Sequence, residues 1–92
     1  MSIVKGDIVA VVNIAGEYVG KVSDDNDVTL ILEKPRMVVN GEQGLGFARG
    51  ICVTGEADPV SGTFYNSGIV FVTKVNAEIE KAYIEAVTGI II

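Results

Sequence analysis

Histidine and tryptophan are absent from this sequence, and cysteine occurs once, as Cys52. Without histidine the chain cannot build a Ser-His-Asp or Cys-His catalytic arrangement. With one cysteine it can form neither an intrachain disulfide nor a cysteine-rich zinc site. The letters around Cys52, GICVTG, are apolar, so we expect its thiol to be buried and inert. These absences predict a protein that is not an enzyme and that has no metal or cofactor.

Positive charge is also scarce, because seven basic residues stand against twelve acidic ones and give a net charge of −5. The field of such a protein repels phosphate backbones, so we expect no binding of DNA. Binding of RNA needs a local basic patch, which a ring can gather by taking one residue from each subunit. The cations themselves are scattered along the chain: Lys5, Lys21, Lys34, Arg36, Arg49, Lys74 and Lys81.

Long apolar runs are missing as well. No stretch approaches the roughly 18 to 20 apolar residues of a membrane helix, and MSIVKGD at the start lacks the basic and apolar regions of a signal peptide. We therefore expect a cytoplasmic protein with no membrane partner. Yet 49% of the residues are hydrophobic, and the mean hydropathy is +0.45. A domain of 92 residues has too much surface to bury them all, which predicts contacts between identical subunits.

Most of the chain has the composition of β-strand. Segments that are rich in valine and isoleucine, or that alternate, predict five strands at 7–14, 17–23, 28–40, 45–55 and 69–75. Pro35 cannot donate a ladder hydrogen bond, so it predicts a bulge, a bend or an edge position in the third strand. Residues 56–68 contain several turn signals and are the least regular part of the chain.

A helical pattern follows the last strand. Apolar residues recur at helical spacing: Val75, Ile79, Ala82, Tyr83, Ala86, Val87 and Ile90. Asn76 suits an N-cap and Gly89 a C-terminal end, so we expect an α-helix over residues 76–88. The whole chain, 1–92, is then one mainly β domain. We expect residues 5–75 to form a small, strongly bent, five-stranded antiparallel barrel of SH3-like, Sm-like or OB type, followed by the C-terminal α-helix.

The acidic stretch SDDNDV, residues 23–28, is a candidate calcium loop. A calcium-binding EF-hand loop needs oxygen ligands at alternate positions, a glycine at the sixth and a glutamate at the twelfth. Counting from Asp24 places Pro35 at the twelfth position, and counting from Asp25 places Leu30 where glycine is required. The calcium pattern fails in both frames, whereas Asp and Asn are well suited to a hairpin turn. The stretch GEQGLG lacks the Lys-Ser/Thr of a phosphate-binding loop and also predicts a turn.

Residues 16–35 carry glycines and apolar residues around this hinge. The pattern consists of Gly16, Val19, Gly20 and Val22 before the hinge, Asp25 within it, and Leu30 and Leu32 after it. A second group, Asn66-Ser67-Gly68, directly precedes the last predicted strand. Over roughly residues 5–75 the chain thereby resembles the Sm-like (LSm) family, and in particular is similar to Sm-like proteins of bacteriophage.

The resemblance implies a homo-oligomeric ring of five to seven subunits whose edge strands pair across each interface. It also implies binding of uridine-rich or adenine-rich single-stranded RNA at the pore, where bases stack on an aromatic side chain. In this chain the family's aromatic, asparagine and arginine positions fall on Asp27, Thr29 and Ser67. The RNA-binding candidates carried by the resemblance are Asp25, Thr29, Tyr65 and Asn66 in the pore loops, with Arg49, Lys21 and Lys74 as phosphate contacts.

Two functions remain open at this point. The family resemblance favours a ring that binds RNA, with Tyr65 as the stacking residue. The negative charge and the substituted base-binding positions favour a structural or protein-interaction scaffold, for example a phage component, that binds no RNA.

Overall fold

The structure is a computed structural model that describes residues 3–89. Its elements are β1 (Ile8–Asn13), β2 (Gly16–Asp25), β3 (Thr29–Gly41), β4 (Gly44–Phe47), β5 (Ser61–Tyr65), a 3-10 turn (Asn66–Gly68), β6 (Ile69–Lys74) and the helix α1 (Ala77–Thr88). The prediction of a mainly β-protein with a C-terminal α-helix is confirmed. Among residues 3–89, no helix combines the length and the apolar character that crossing a membrane requires.

All strand pairs are antiparallel, in the order β4-β3-β2-β1-β6, with β5 also paired to β3. The long strand β3 reaches two neighbours on one side, because residues 29–33 pair with β5 and residues 38–41 pair with β4. Within residues 3–89, β5 and β6 are not hydrogen-bonded to each other, so the sheet is not closed. The structure therefore has an open sheet of six strands where the sequence predicted five strands in a barrel.

The predicted strand at 45–55 ends early, at Phe47. Residues 48–60 form a loop whose backbone folds closely on itself, since a Cβ on Gly50 would lie 2.9 Å from the carbonyl oxygen of Glu56. Because Cys52 lies in this loop and outside the sheet, its side chain is exposed, and the prediction of a buried thiol is wrong. Conversely, β5 lies within residues 56–68, which were predicted to be irregular.

Pro35 marks the predicted bulge in β3. Opposite Gly20 of β2, the strand β3 contributes two residues, Lys34 and Pro35, instead of one. Lys34 adopts a left-handed φ of 47°, which lets the chain accommodate the extra residue. The two strands approach closely here, because a Cβ added to Gly20 would lie 2.8 Å from the Cβ of Leu32. Glycine at position 20 is therefore a steric requirement of the bulge.

The sheet buries apolar side chains on both faces. The inner core consists of Val9, Val11, Tyr18, Val22, Leu30, Leu32 and Phe64. The helix-side core, on the opposite face, consists of Ala10, Val19 and Tyr83, with partly buried side chains from β1, β3, β4 and α1 around them. Alternation along the strands produces this division, since successive side chains point to opposite faces.

The helix begins and ends at the predicted residues. The Oδ1 atom of Asn76 accepts a hydrogen bond from the backbone nitrogen of Ile79 at 2.9 Å, and Gly89 closes the helix with a left-handed φ of 73°. The packed side chains of α1 are Ile79, Tyr83, Ile84 and Val87, whereas Ala82 and Ala86 are exposed. Ile84 was not part of the predicted stripe, yet it packs against the helix-side core where the two alanines do not. An isoleucine side chain buries more apolar area than an alanine side chain. Ile90, the last predicted member of the stripe, lies outside the described residues.

Tyr83 connects the helix to the bulge in β3. Its side chain is 2% exposed, and its hydroxyl donates towards the carbonyl oxygens of Lys34 at 2.8 Å and Glu33 at 3.1 Å. Burial, together with the negative charge of Glu33, raises the pKa of Tyr83 to about 12, although the charge of Arg36 opposes the shift. The neutral phenol is thus the form that the folded state stabilises.

We expect Tyr83→Phe to lower the free energy of unfolding at pH 7 by about 1 kcal/mol, because the bulge carbonyls lose their donor. Between pH 10 and pH 12 the unfolded wild type loses the phenol proton while the folded state keeps it, so its stability falls with rising pH. The wild type should lose up to about 2 kcal/mol more than the variant over this range. Urea unfolding at several pH values measures both effects, and parallel pH profiles would contradict the second.

Candidate functional site

The end of the acidic stretch, residues 26–28, forms the turn between β2 and β3, whereas residues 24–25 extend β2 beyond the predicted strand end. The Oδ1 atom of Asn26 accepts hydrogen bonds from the backbone nitrogens of Val28 and Thr29, both at 2.9 Å. The side-chain amide of Asn26 donates to Asp24 and to the hydroxyl of Thr29, both at 3.1 Å. Within residues 3–89, no group of three or more acidic or cysteine side chains has an arrangement that suits a metal ion. The hydrogen bonds of Asn26 therefore stabilise the turn itself.

The 3-10 turn after β5 docks on this hairpin. The side-chain amide of Asn66 donates to the carbonyl oxygen of Asn26 at 2.7 Å. The backbone nitrogen of Asn66 donates to the carbonyl oxygen of Val28 at 2.9 Å. Tyr65 pairs with Thr29 across β3 and β5. We call residues 24–29 together with residues 65–68 the corner. It brings together the four candidates from the pore loops, since Asp25 lies in the same hairpin.

The three candidate phosphate contacts lie outside the corner and are held elsewhere. Lys74 forms an ion pair with Asp7 at 3.6 Å. Arg49 lies in the loop 48–60 and pairs with Asp58. Lys21 pairs with Ile8 across β1 and β2, and it lines a groove of about 370 Å³ beside α1. The structure thus gives the corner none of the three cations that the sequence assigned to phosphate binding.

Asp58 joins two arginines and fixes the loop 48–60 to the sheet. Arg36, which is 5% exposed, donates to Oδ1 of Asp58 at 3.1 Å, and Arg49 donates to the other carboxylate oxygen. The hydrogen bond from Arg49, followed by the charges of both arginines, holds the pKa of Asp58 below its ordinary value against the effect of desolvation. Sequence reasoning missed this contact because Arg36 and Asp58 are 22 residues apart. Its role is to anchor a loop.

Exposed apolar side chains lie along two strands that follow each other in the chain, β5 and β6. From Pro59 to Thr73 no residue carries a charge, and we call residues 59–73 the uncharged segment. It contains β5 and nearly all of β6. Tyr65 is 64% exposed, Val70 is 63% exposed and Phe71 is 52% exposed. Sequence reasoning passed over Val70 and Phe71, although the absence of charge in this segment was a visible signal.

Both strands of the uncharged segment have one free edge. β5 pairs only with β3, and β6 pairs only with β1, within the part of the chain that the structure describes. Each free edge presents backbone donors and acceptors that another strand can bind.

Comparisons with protein-family models, with curated proteins and with solved structures give no match. The geometry of the chain itself is therefore the basis for its functional interpretation.

We expect Asn66→Ala to lower the free energy of unfolding by about 1 kcal/mol, because it removes the side-chain hydrogen bond to the carbonyl oxygen of Asn26 while keeping the backbone bond to Val28. Ser67→Ala, at the exposed neighbouring position, is the matched control and should change stability by less than about 0.5 kcal/mol. Urea unfolding of the three proteins measures the difference. Equal stability of Asn66→Ala and the wild type would show that Asn66 has no structural role.

Proposed function

We propose that this protein is a non-catalytic, Sm-like scaffold that assembles into a homo-oligomeric ring. In the ring, β5 of one subunit pairs with β6 of the next, and the sheet of each subunit is bent into the barrel that the resemblance implies. The observation that carries this proposal is the uncharged segment, which contains the free edges of β5 and β6, two strands that are adjacent along the chain. Five to seven subunits, the range that the resemblance implies, complete the assembly.

Free strand edges are open to pairing with other strands. Soluble proteins usually protect such edges with charged side chains, prolines or bulges, because an unguarded edge pairs with another strand. β5, with the sequence SGTFY, has no charged residue, and in β6, IVFVTK, the only charge is at the final Lys74. Because the two edges are different surfaces of one chain, their pairing is head-to-tail, and such contacts form a ring when the rotation closes. The high apolar content of the chain is consistent with this use of its surface.

We expect the wild type to elute as a multimer at micromolar concentration, and Val70→Lys to shift it towards the monomer. The new charge would lie on the β6 edge directly beside Phe71, on a side chain that is 63% exposed in the subunit, and burial of a charge without a partner in an interface is costly. Val53→Lys is the matched control, because Val53 is fully exposed in the loop 48–60 and away from both edges. Size-exclusion chromatography with light scattering measures the mass. A monomeric wild type, or equal effects of the two lysines, would contradict the proposal.

Binding of single-stranded RNA at the corner is the second candidate function. The exposed ring of Tyr65 beside Thr29 and Asn66 supports it, because aromatic faces bind unstacked bases. The exposed carboxylates of Asp24 and Asp25 in the same corner oppose it, because they repel a phosphate chain. The scaffold function therefore takes precedence.

We expect labelled uridine-rich and adenine-rich oligonucleotides to show no change in fluorescence anisotropy on addition of the protein, even at about 50 mM salt, where phosphate contacts are strongest. The charge of −5 per subunit, multiplied by the number of subunits, is the physical reason. Saturable binding that weakens as salt is raised would establish the RNA function instead. The same samples, run on the sizing column, report whether the ring is present during the measurement.

A further inference from the structure

We propose that Tyr65 of one subunit and Phe71 of the next form an aromatic cross-strand pair that sets the register of the subunit interface. This inference rests on the proposed assembly and identifies the partner of the corner's exposed tyrosine as a second copy of the chain. It gives Tyr65 a role in assembly in place of the base-stacking role that the family resemblance implies. It depends on the two free edges alone and not on the resemblance.

The two aromatic side chains lie on the same side of the sheet. Phe64 belongs to the inner core, so its neighbour Tyr65 points to the opposite, helix-side face. Val72 packs against the inner core, so its neighbour Phe71 also points to the helix-side face. Both rings are more than half exposed, at 64% and 52%. Two strands that join edge to edge in a continuous sheet place side chains of the same face next to each other.

One antiparallel register pairs residues 62–65 of one edge with residues 71–74 of the other. With Tyr65 opposite Phe71, Phe64 lies opposite Val72, and the inner cores of the two subunits become continuous. The next pair is Thr63 with Thr73, two β-branched residues of similar size on the helix-side face. Gly62 then lies opposite Lys74 at the end of the paired segment. Antiparallel pairing is the more stable of the two orientations and the one found throughout this sheet.

Neighbouring registers lose these matches. A shift by two residues places Phe71 opposite Thr63 and leaves the ring of Tyr65 beside Ile69, where β6 departs from regular pairing with β1. A shift by one residue would turn the helix-side face of β5 towards the inner face of β6, which exposes the apolar core of one subunit. The aromatic pair is therefore the feature that distinguishes the correct register, and exposed aromatic pairs of this kind stabilise adjacent strands.

The register is tested by cysteine cross-linking in a Cys52→Ser background. In the proposed register Thr63→Cys and Thr73→Cys lie directly opposite each other in adjacent subunits, within the distance that a disulfide spans. We expect mild oxidation of this double variant to give a ladder of covalent multimers on a non-reducing gel. The matched control, Thr63→Cys with Lys74→Cys, places the two thiols on opposite faces of the sheet and should give no ladder.

Each other outcome contradicts a distinct part of the argument. An assembled protein that forms no ladder, or that forms an equal ladder with the control pair, overturns the register and leaves the ring standing. A disulfide within one chain, seen as an oxidised monomer without a ladder, shows that β5 and β6 meet in the same subunit and overturns the interface. A monomeric wild type on the sizing column overturns the ring itself.

The role of the aromatic pair is tested by substitution. We expect Tyr65→Ser and Phe71→Ser each to raise the concentration at which the assembly dissociates by roughly tenfold, and Tyr65→Phe to leave it within about threefold. Tyr65 is exposed in the subunit, so urea unfolding should show that Tyr65→Ser remains folded. An unchanged dissociation concentration for Tyr65→Ser would overturn the inference, because a tyrosine that serves only RNA has no effect on assembly.

Discussion

The bulge at Lys34 and Pro35 is the constraint on which the rest of the structure depends. It separates β3 into a first part that pairs with β5 and a second part that pairs with β4. The hydroxyl of Tyr83 binds the carbonyl oxygens at the bulge, so the helix is positioned there as well. Arg36, the residue after the proline, holds Asp58 and with it the loop 48–60. The bulge thus positions β4 and β5, the helix α1 and the loop 48–60.

The same division of β3 creates the free edges. Because β4 pairs with the second part of β3, β5 is left with the first part and has no partner on its other side within residues 3–89. The 3-10 turn carries the chain directly from this edge to β6, at the other end of the strand order. β5 and β6 are therefore adjacent along the chain, and each has a free edge within residues 3–89. Because the two edges are different surfaces of one chain, the pairing proposed between them is head-to-tail.

The parts of the fold that were predicted from the sequence depend on local chemistry. Pro35 lacks a backbone donor, and Asn76 and Gly89 favour helix ends, so the bulge and the helix limits follow from the residues themselves. β5 was not predicted, because Ser61 and Gly62 favour turns and their strand conformation comes from pairing with β3. Gly62 is required there for a reason that only the structure reveals, since a Cβ on it would lie 2.9 Å from the ring of Pro35.

The candidate site also has a part that was predicted from the sequence and a part that was not. Thr29, Tyr65 and Asn66 were expected to meet because the family resemblance places them in the pore loops, and the structure brings them together. The cations were assigned to the same site from sequence position alone. Their ion pairs with Asp7 and Asp58 depend on contacts between distant parts of the chain, which a single sequence does not reveal. Charge partners are set by tertiary structure, so their assignment was the weakest part of the site.

The distribution of charge distinguishes the two candidate functions. RNA binding needs cations where the phosphates lie, and the corner has exposed acidic residues instead. Association between subunits needs the opposite, because a charge buried at an interface without a partner is costly. The uncharged segment meets that requirement along the free edges of β5 and β6, while the acidic residues elsewhere keep the surface hydrated. Tyr65 lies where the corner and the β5 edge meet, and the proposed assembly would place its ring against the uncharged edge of another copy of the chain.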